Sequence, residues 1–66
     1  MTIRLNGEHH ELPGPLTVTD LLARLEIDAR RVAVERNLTV LKREAFGSTK
    51  VEDGDEIEIV NFVGGG

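Results

Sequence analysis

Apolar and polar residues alternate at the start of the chain. Ile3 and Leu5 share one face of residues 2–6, and Thr2 and Arg4 the other, which is the two-residue period of a half-buried strand. Asn6-Gly7 follows and signals a hairpin, because a type I′ turn needs two residues that tolerate positive φ. Residues 8–12 are then the returning strand, and their poor apolar content places them at a sheet edge. Pro13-Gly14-Pro15 stops the sheet, since neither proline can donate a ladder hydrogen bond. The period changes over residues 17–26. Val18, Leu21, Leu22 and Leu25 stand at i, i+3, i+4 and i+7, a single apolar helical stripe. Thr17 is placed to cap this helix, with Asp20 three residues on in the capping-box position and near the positive end of the helix dipole. The small sheet has nothing else to cover it, so the stripe reads as core.

The second half returns to strands. Ile27 ends the packing of the helix, and residues 28–31 form a polar turn. Val32 and Val34 point inward from a strand over residues 32–35, and Asn37 turns the chain. Residues 38–41 predict a short strand with Leu38 and Val40 on one face, Thr39 and Leu41 on the other. Residues 42–50 have no clear period. Phe46 is expected to pin this loop to the core, with Val51 anchoring the segment before a turn at Asp53-Gly54. In the last strand Ile57 and Ile59 face the core, and Glu58, Val60 and Phe62 the other side, unless a bulge reverses them. Val60 and Phe62 are then exposed apolar groups just before the terminal glycines, a candidate contact surface. A hairpin, a helix, two short strands, a loop and a final strand make an α+β domain, with one helix covering one face of a mixed sheet.

Composition narrows the function. Sixty-six residues make one domain, and at this size only about 60% of the chain's surface is buried on folding. The core is aliphatic, with Phe46 and Phe62 the only aromatics. It leaves no room for a deep substrate cavity, which argues against an autonomous enzyme. There is no cysteine, so a disulfide, a thiolate metal site and a cysteine nucleophile are excluded. A reducing cytoplasm suits a small domain without such staples. No signal-peptide-like run opens the chain, and no stretch approaches the ~20 apolar residues of a membrane span. Net charge is −4, from 12 acids against 8 bases, which argues against a nucleic-acid partner. Glu52, Asp53, Asp55, Glu56 and Glu58 crowd together with no base among them. They read as a solvated turn and outer strand face, and also as an acidic lip that could steer a basic partner. His9 and His10 are adjacent strand residues pointing to opposite faces, so a shared metal ion is not expected. Ser48 and Thr49 have no histidine positioned by a motif, so no nucleophile is expected there.

The chain ends on Gly64-Gly65-Gly66. Three glycines have no side chains to pack, yet extended they reach about 10 Å. They could thread a channel too narrow for any other residue. The functional reading divides the chain into a domain over residues 1–63 and a flexible tail over 64–66, whose terminal carboxylate on Gly66 is modified in another protein's active site. The plain alternative is a frayed terminus.

The ending Asp53-Gly54-Asp55-Glu56-Ile57-Glu58-Ile59-Val60, followed by Val63-Gly64-Gly65-Gly66, resembles the ThiS family, the sulfur carrier proteins of thiamine biosynthesis. Residues 17–22 and 31–37 match where that family has its helix start and third strand. The resemblance implies a β-grasp, ubiquitin-like fold: a mixed sheet of four to five strands, one helix on one face, and the first and last strands parallel at its centre. It also implies a cytoplasmic carrier, monomeric when free, with no bound cofactor or metal and no catalytic residue of its own. An E1-like adenylyltransferase would use ATP to adenylate Gly66. A persulfide sulfur, originating from a cysteine desulfurase, would displace AMP and leave a thiocarboxylate, which donates its sulfur to thiazole synthase. Gly64 and Gly65 would thread the partner's active site, and Val60, Phe62 and Val63 would dock. The alternatives are a carrier of another pathway (the small subunit of molybdopterin synthase, or a cysteine-pathway carrier) and a ubiquitin-like binding module or modifier.

Overall fold

The structure, a computed structural model, describes residues 1–62. The expectations for Val63, Gly64, Gly65 and Gly66, and for a boundary between domain and tail, lie outside the described residues.

Strands β1 (Thr2–Leu5) and β2 (Glu8–Glu11) form the expected hairpin. Asn6 and Gly7 at its tip have φ of 49° and 84°. A two-residue strand, β3 (Leu16–Thr17), leads into helix α1 (Val18–Arg24). Strands β4 (Val32–Arg36) and β5 (Thr39–Leu41) follow, then β6 (Lys50–Val51) and β7 (Glu56–Asn61). Short 3-10 turns at Ala29–Arg31 and Arg43–Ala45 complete the path.

The main sheet has the order β2-β1-β7-β4-β5. β1 and β7 are parallel and the other pairs antiparallel. Apolar burial explains the order. Ile57 of β7 lies between Ile3 and Leu5 of β1 and Val32 and Val34 of β4, and all five are buried. The helix stripe of Val18, Leu21 and Leu22 closes over them, with Phe46 and Val51 at the side. Each such side chain contributes about 1.5–3 kcal/mol when removed from water. The last strand of the chain is therefore the middle strand of the sheet.

Both ends of α1 are set locally. Thr17 Oγ1 accepts from the Asp20 N–H at 3.1 Å, and Asp20 Oδ2 accepts from the Thr17 N–H at 3.1 Å, so both halves of the capping box form. The helix stops at Arg24, short of the expected residue 26. Glu26 adopts φ 59°, its N–H bonds to Ala23 O and that of Ile27 to Leu22 O. This is a Schellman ending, with Glu where glycine is usual, and it turns Ile27 back onto the core.

Three features differ from the sequence reading. Leu16 pairs with Val51 and Thr17 with Lys50 in a second, two-stranded sheet, where a loop was expected. Two-residue strands are too short to show a period. Leu38 lies in the β4–β5 turn, not in a strand, with φ 70° and 84% exposure. Third, Asp55 is buried, 6% exposed; its environment belongs with the C-terminal strand.

Candidate functional site: the C-terminal strand and its outer face

β7 runs in unbroken register against β4, from Arg36↔Ile57 to Val32↔Asn61, with no bulge. Alternation therefore holds. Ile57 and Ile59 face the helix, whereas Val60 and Phe62 are 58% and 57% exposed. The Phe62 N–H still donates to Arg31 O at 2.9 Å, so pairing persists to the last described residue.

The sheet face opposite the helix can be read from register. Val60 is opposite Ala33, Glu58 opposite Glu35, and Glu35 opposite Val40. Val40, like Val60 and Phe62, is exposed. Apolar residues thus border two facing carboxylates on the β5 side and toward the end of β7, and neither Glu35 nor Glu58 has an ion-pair partner among the described residues. Like charges directly opposite on a sheet are destabilising. A basic group on a docked partner would relieve that repulsion.

The turn that launches β7 is held by a clasp. Arg36 Nε donates to Asp55 Oδ2 at 2.7 Å, Asn37 Nδ2 to Asp55 Oδ1 at 3.1 Å, and the Glu52 N–H to Asp55 Oδ2 at 2.8 Å. Asn37, at φ 52°, also accepts from the Glu56 N–H at 2.9 Å and donates its own N–H to Glu56 O at 2.8 Å. Burial disfavours the Asp55 charge, but the Arg36 guanidinium, the Glu52 N–H and the Asn37 amide outweigh it and hold its pKa below the usual value. Asp55 therefore belongs to no acidic lip, although Glu52, Asp53, Glu56 and Glu58 remain exposed. Its position in the chain could not show this, because the side chains that close around it, Asn37 and Arg36, are 18 and 19 residues away.

Asn6 does a related job at the other end of the β1–β7 pairing. Its Oδ1 accepts from the Ile59 N–H at 2.8 Å and its Nδ2 donates to Ile59 O at 3.3 Å. The side-chain amide thus stands in for one more peptide unit of β1. The sequence offered Asn6 only as a turn residue.

No other chemistry assembles nearby. A recess of about 290 Å³ is lined by Thr2, Arg4, His9 and Asp53. There the Asp53 carboxylate accepts from the Thr2 N–H at 2.7 Å. His9 shares a face with Arg4, and His10 with Ile3, so the two histidines diverge. Among the described residues no three potential ligands converge on a metal position. Among them, too, no helix is long and apolar enough to cross a membrane.

A five-stranded mixed sheet with a parallel central pair, backed by one helix, is the β-grasp arrangement of ubiquitin-like proteins. Comparison with known proteins narrows this class. The model of the ThiS family matches residues 3–66. A crystal structure of a thiamine biosynthesis protein (ThiS) from Geobacter metallireducens superposes with a TM-score of 0.88 at 45% identity, covering 100% of both chains. The sulfur carrier protein ThiS of Bacillus subtilis is 44% identical over 50 residues, 76% of each chain. A thiazole synthase of Paramagnetospirillum magneticum is 44% identical over all 66 residues, but the chain spans only 20% of that protein's length. The chain belongs to the ThiS family.

Proposed function

We propose that this protein is a sulfur carrier for formation of the thiamine thiazole, with the Gly66 carboxylate as the group that carries the sulfur. One observation supports this most. β7 is the central strand, held by β1 and Asn6 as far as Ile59 and by β4 to its end, it carries exposed Val60 and Phe62, and Gly64-Gly65-Gly66 follow it in the sequence. A rigid strand presents whatever follows it in a defined direction. Membership of the ThiS family, and thiazole synthases that contain a similar segment, agree with that reading.

The chemistry follows from the reactivity of a carboxylate. It is a poor electrophile and needs activation. In an E1-like adenylyltransferase the Gly66 carboxylate attacks the α-phosphorus of ATP and pyrophosphate leaves. A persulfide sulfur, originating from a cysteine desulfurase, then attacks the acyl carbon and AMP leaves. Cleavage of the remaining S–S bond by a thiol yields the thiocarboxylate. That soft nucleophile passes its sulfur to thiazole synthase, and a carboxylate is regenerated. The chain is consumed and restored stoichiometrically. ATP and sulfur are substrates of its partners, and no cysteine is required in the carrier itself.

Val60 and Phe62, with Val63 beyond them, form the docking surface in this scheme. Glu35 and Glu58 select a partner with a basic group. Gly64 and Gly65 lack a Cβ and so fit a narrow passage. Intact-mass spectrometry tests the proposal, on protein isolated from cells and after incubation with ATP, the adenylyltransferase and a sulfur source. The expected result is replacement of one oxygen by sulfur, mapped to Gly66. No mass change, with an activating enzyme competent on another carrier, would overturn the proposal in favour of a binding module. Gly65→Ala and Gly66→Ala are expected to impair adenylation and leave the melting temperature unchanged; normal adenylation of both would refute the narrow passage.

A further inference from the structure

The hydrogen-bond parity of β7 identifies an unpaired stretch of sheet edge. Residues 56, 58, 60 and 62 direct their backbone groups toward β4: Asn37 N–H reaches Glu56 O, Phe62 N–H reaches Arg31 O, and Glu35↔Glu58 and Ala33↔Val60 alternate between them. Residues 55, 57, 59 and 61 must then direct theirs toward β1. There Arg4 N–H donates to Asp55 O and Asn6 N–H to Ile57 O, both at 2.9 Å. The Asn6 side chain takes both groups of Ile59. β1 has ended by then, the chain has turned at Gly7, and the next position, Asn61, is exposed. Its N–H and C=O have no partner on that side among the described residues.

We infer that this edge of β7 at Asn61, in line with β1 and beyond the Asn6 amide, receives an extended backbone segment of the enzyme that adenylates the tail. The segment would prolong the line of β1 and pair with Asn61 as an added strand. Unpaired strand edges are templates for such addition, and main-chain hydrogen bonds give it affinity. The other free edges suit it less. β2 reads Glu8-His9-His10-Glu11, which charge and polarity blunt, and β5 lies at the far side of the sheet from β1, two strands away from the line that leads to the tail. The Asn61 edge is flanked on the outer face by Val60 and Phe62, so the added segment would place an apolar side chain against them. It also lies immediately before the tail. A strand added there would fix the direction in which the following residues leave the sheet, which the described fold does on the β4 side alone.

The inference rests on the carrier reading, and its test separates the two. The 15N-labelled carrier is exchanged into deuterated water, free and with excess adenylyltransferase, then quenched and released, and its amides are read by NMR. Adenylation is followed by mass on the same sample. The Asn61 amide is expected to exchange fast in the free protein and at least tenfold slower in the complex, whereas the Ile57 and Ile59 amides are slow in both. Adenylation with no slowing at Asn61 overturns the added strand and leaves the carrier reading standing. Absence of adenylation and binding overturns both. A second measurement separates hydrogen bonding from simple burial. Chemical synthesis replaces the amide between Val60 and Asn61 by an ester, which removes the Asn61 N–H. Binding is expected to weaken by about three- to tenfold, the worth of one hydrogen bond. Unchanged affinity well below the melting temperature would overturn the inference.

Discussion

Asp55→Ala tests whether the clasp beneath β7 carries a substantial share of the stability. The carboxylate accepts three hydrogen bonds shorter than 3.2 Å, from Arg36, Asn37 and Glu52. Its removal strands the Asn37 amide and the Glu52 N–H, and leaves Arg36, whose side chain is 28% exposed, to seek water. Breaking a fully buried pair costs about 3–5 kcal/mol. The partial exposure of Arg36 lowers the expectation to about 2–4 kcal/mol. A chain of this length has a total stability of about 3–10 kcal/mol, so the loss is a large fraction. Thermal melting followed by circular dichroism should fall by about 10–25 °C.

The same group sets a pH signature. The Asp55 pKa is depressed in the folded state. Its contribution is therefore complete above the unfolded value of about 3.9 and is lost as pH falls through the lower native value. Asp28, held down to about 2 by its hydrogen bonds from Arg30, titrates nearby. It is solvent-exposed and common to both proteins, so it cancels in the comparison. Asp55→Asn should thus be less stable at pH 7, with a flatter decline in urea-measured stability between about pH 5 and pH 2. A loss under about 0.5 kcal/mol at pH 7, within the range of ordinary surface changes, would refute the argument. So would an unchanged acid profile.

Asn6→Ala removes both hydrogen bonds to Ile59 and leaves a residue with no compensating contact at φ 49°. It should cost about 1–3 kcal/mol in a chemical denaturation series, and a neutral result would mean that water replaces the amide without penalty. Leu38→Gly should stabilise by about 0.5–1 kcal/mol, because a fully exposed leucine at φ 70° is strained and makes an imperfect second residue for this turn; a lower melting temperature would show that Leu38 packs in solution. Val60→Lys, a cation beside Glu58, should leave melting unchanged and weaken binding to the adenylyltransferase at least tenfold in calorimetry, and unaltered affinity would move the docking surface elsewhere.

Much of this fold is written locally. The alternation of Ile3 and Leu5, the Asn6-Gly7 turn, the Thr17 and Asp20 capping box and the Val18-Leu21-Leu22 stripe each use contacts within a few residues, so periodicity and turn chemistry disclose them. The exposure of Val60 and Phe62 was legible for the same reason, since strand alternation fixes a side once no bulge intervenes. The parallel pairing of β1 with β7 was available only through resemblance to a family, because no local pattern names a strand's neighbour.

The sequence by itself determined which residues are apolar, where the chain turns, that these residues include no thiol and that residues 64–66 are glycines. Only the tertiary structure decided what Asp55, Asn6 and Asn61 do. Asp55 looks like one more acid in a charged run until Arg36 and Asn37 close around it. Asn6 looks like a turn residue until Ile59 is brought beside it. Asn61 has an open edge only because β1 stops short of it. Each depends on pairs of residues far apart in the chain. Their meeting is set by burial of the whole apolar face at once, a property of the packed sheet that no single stretch of the chain carries.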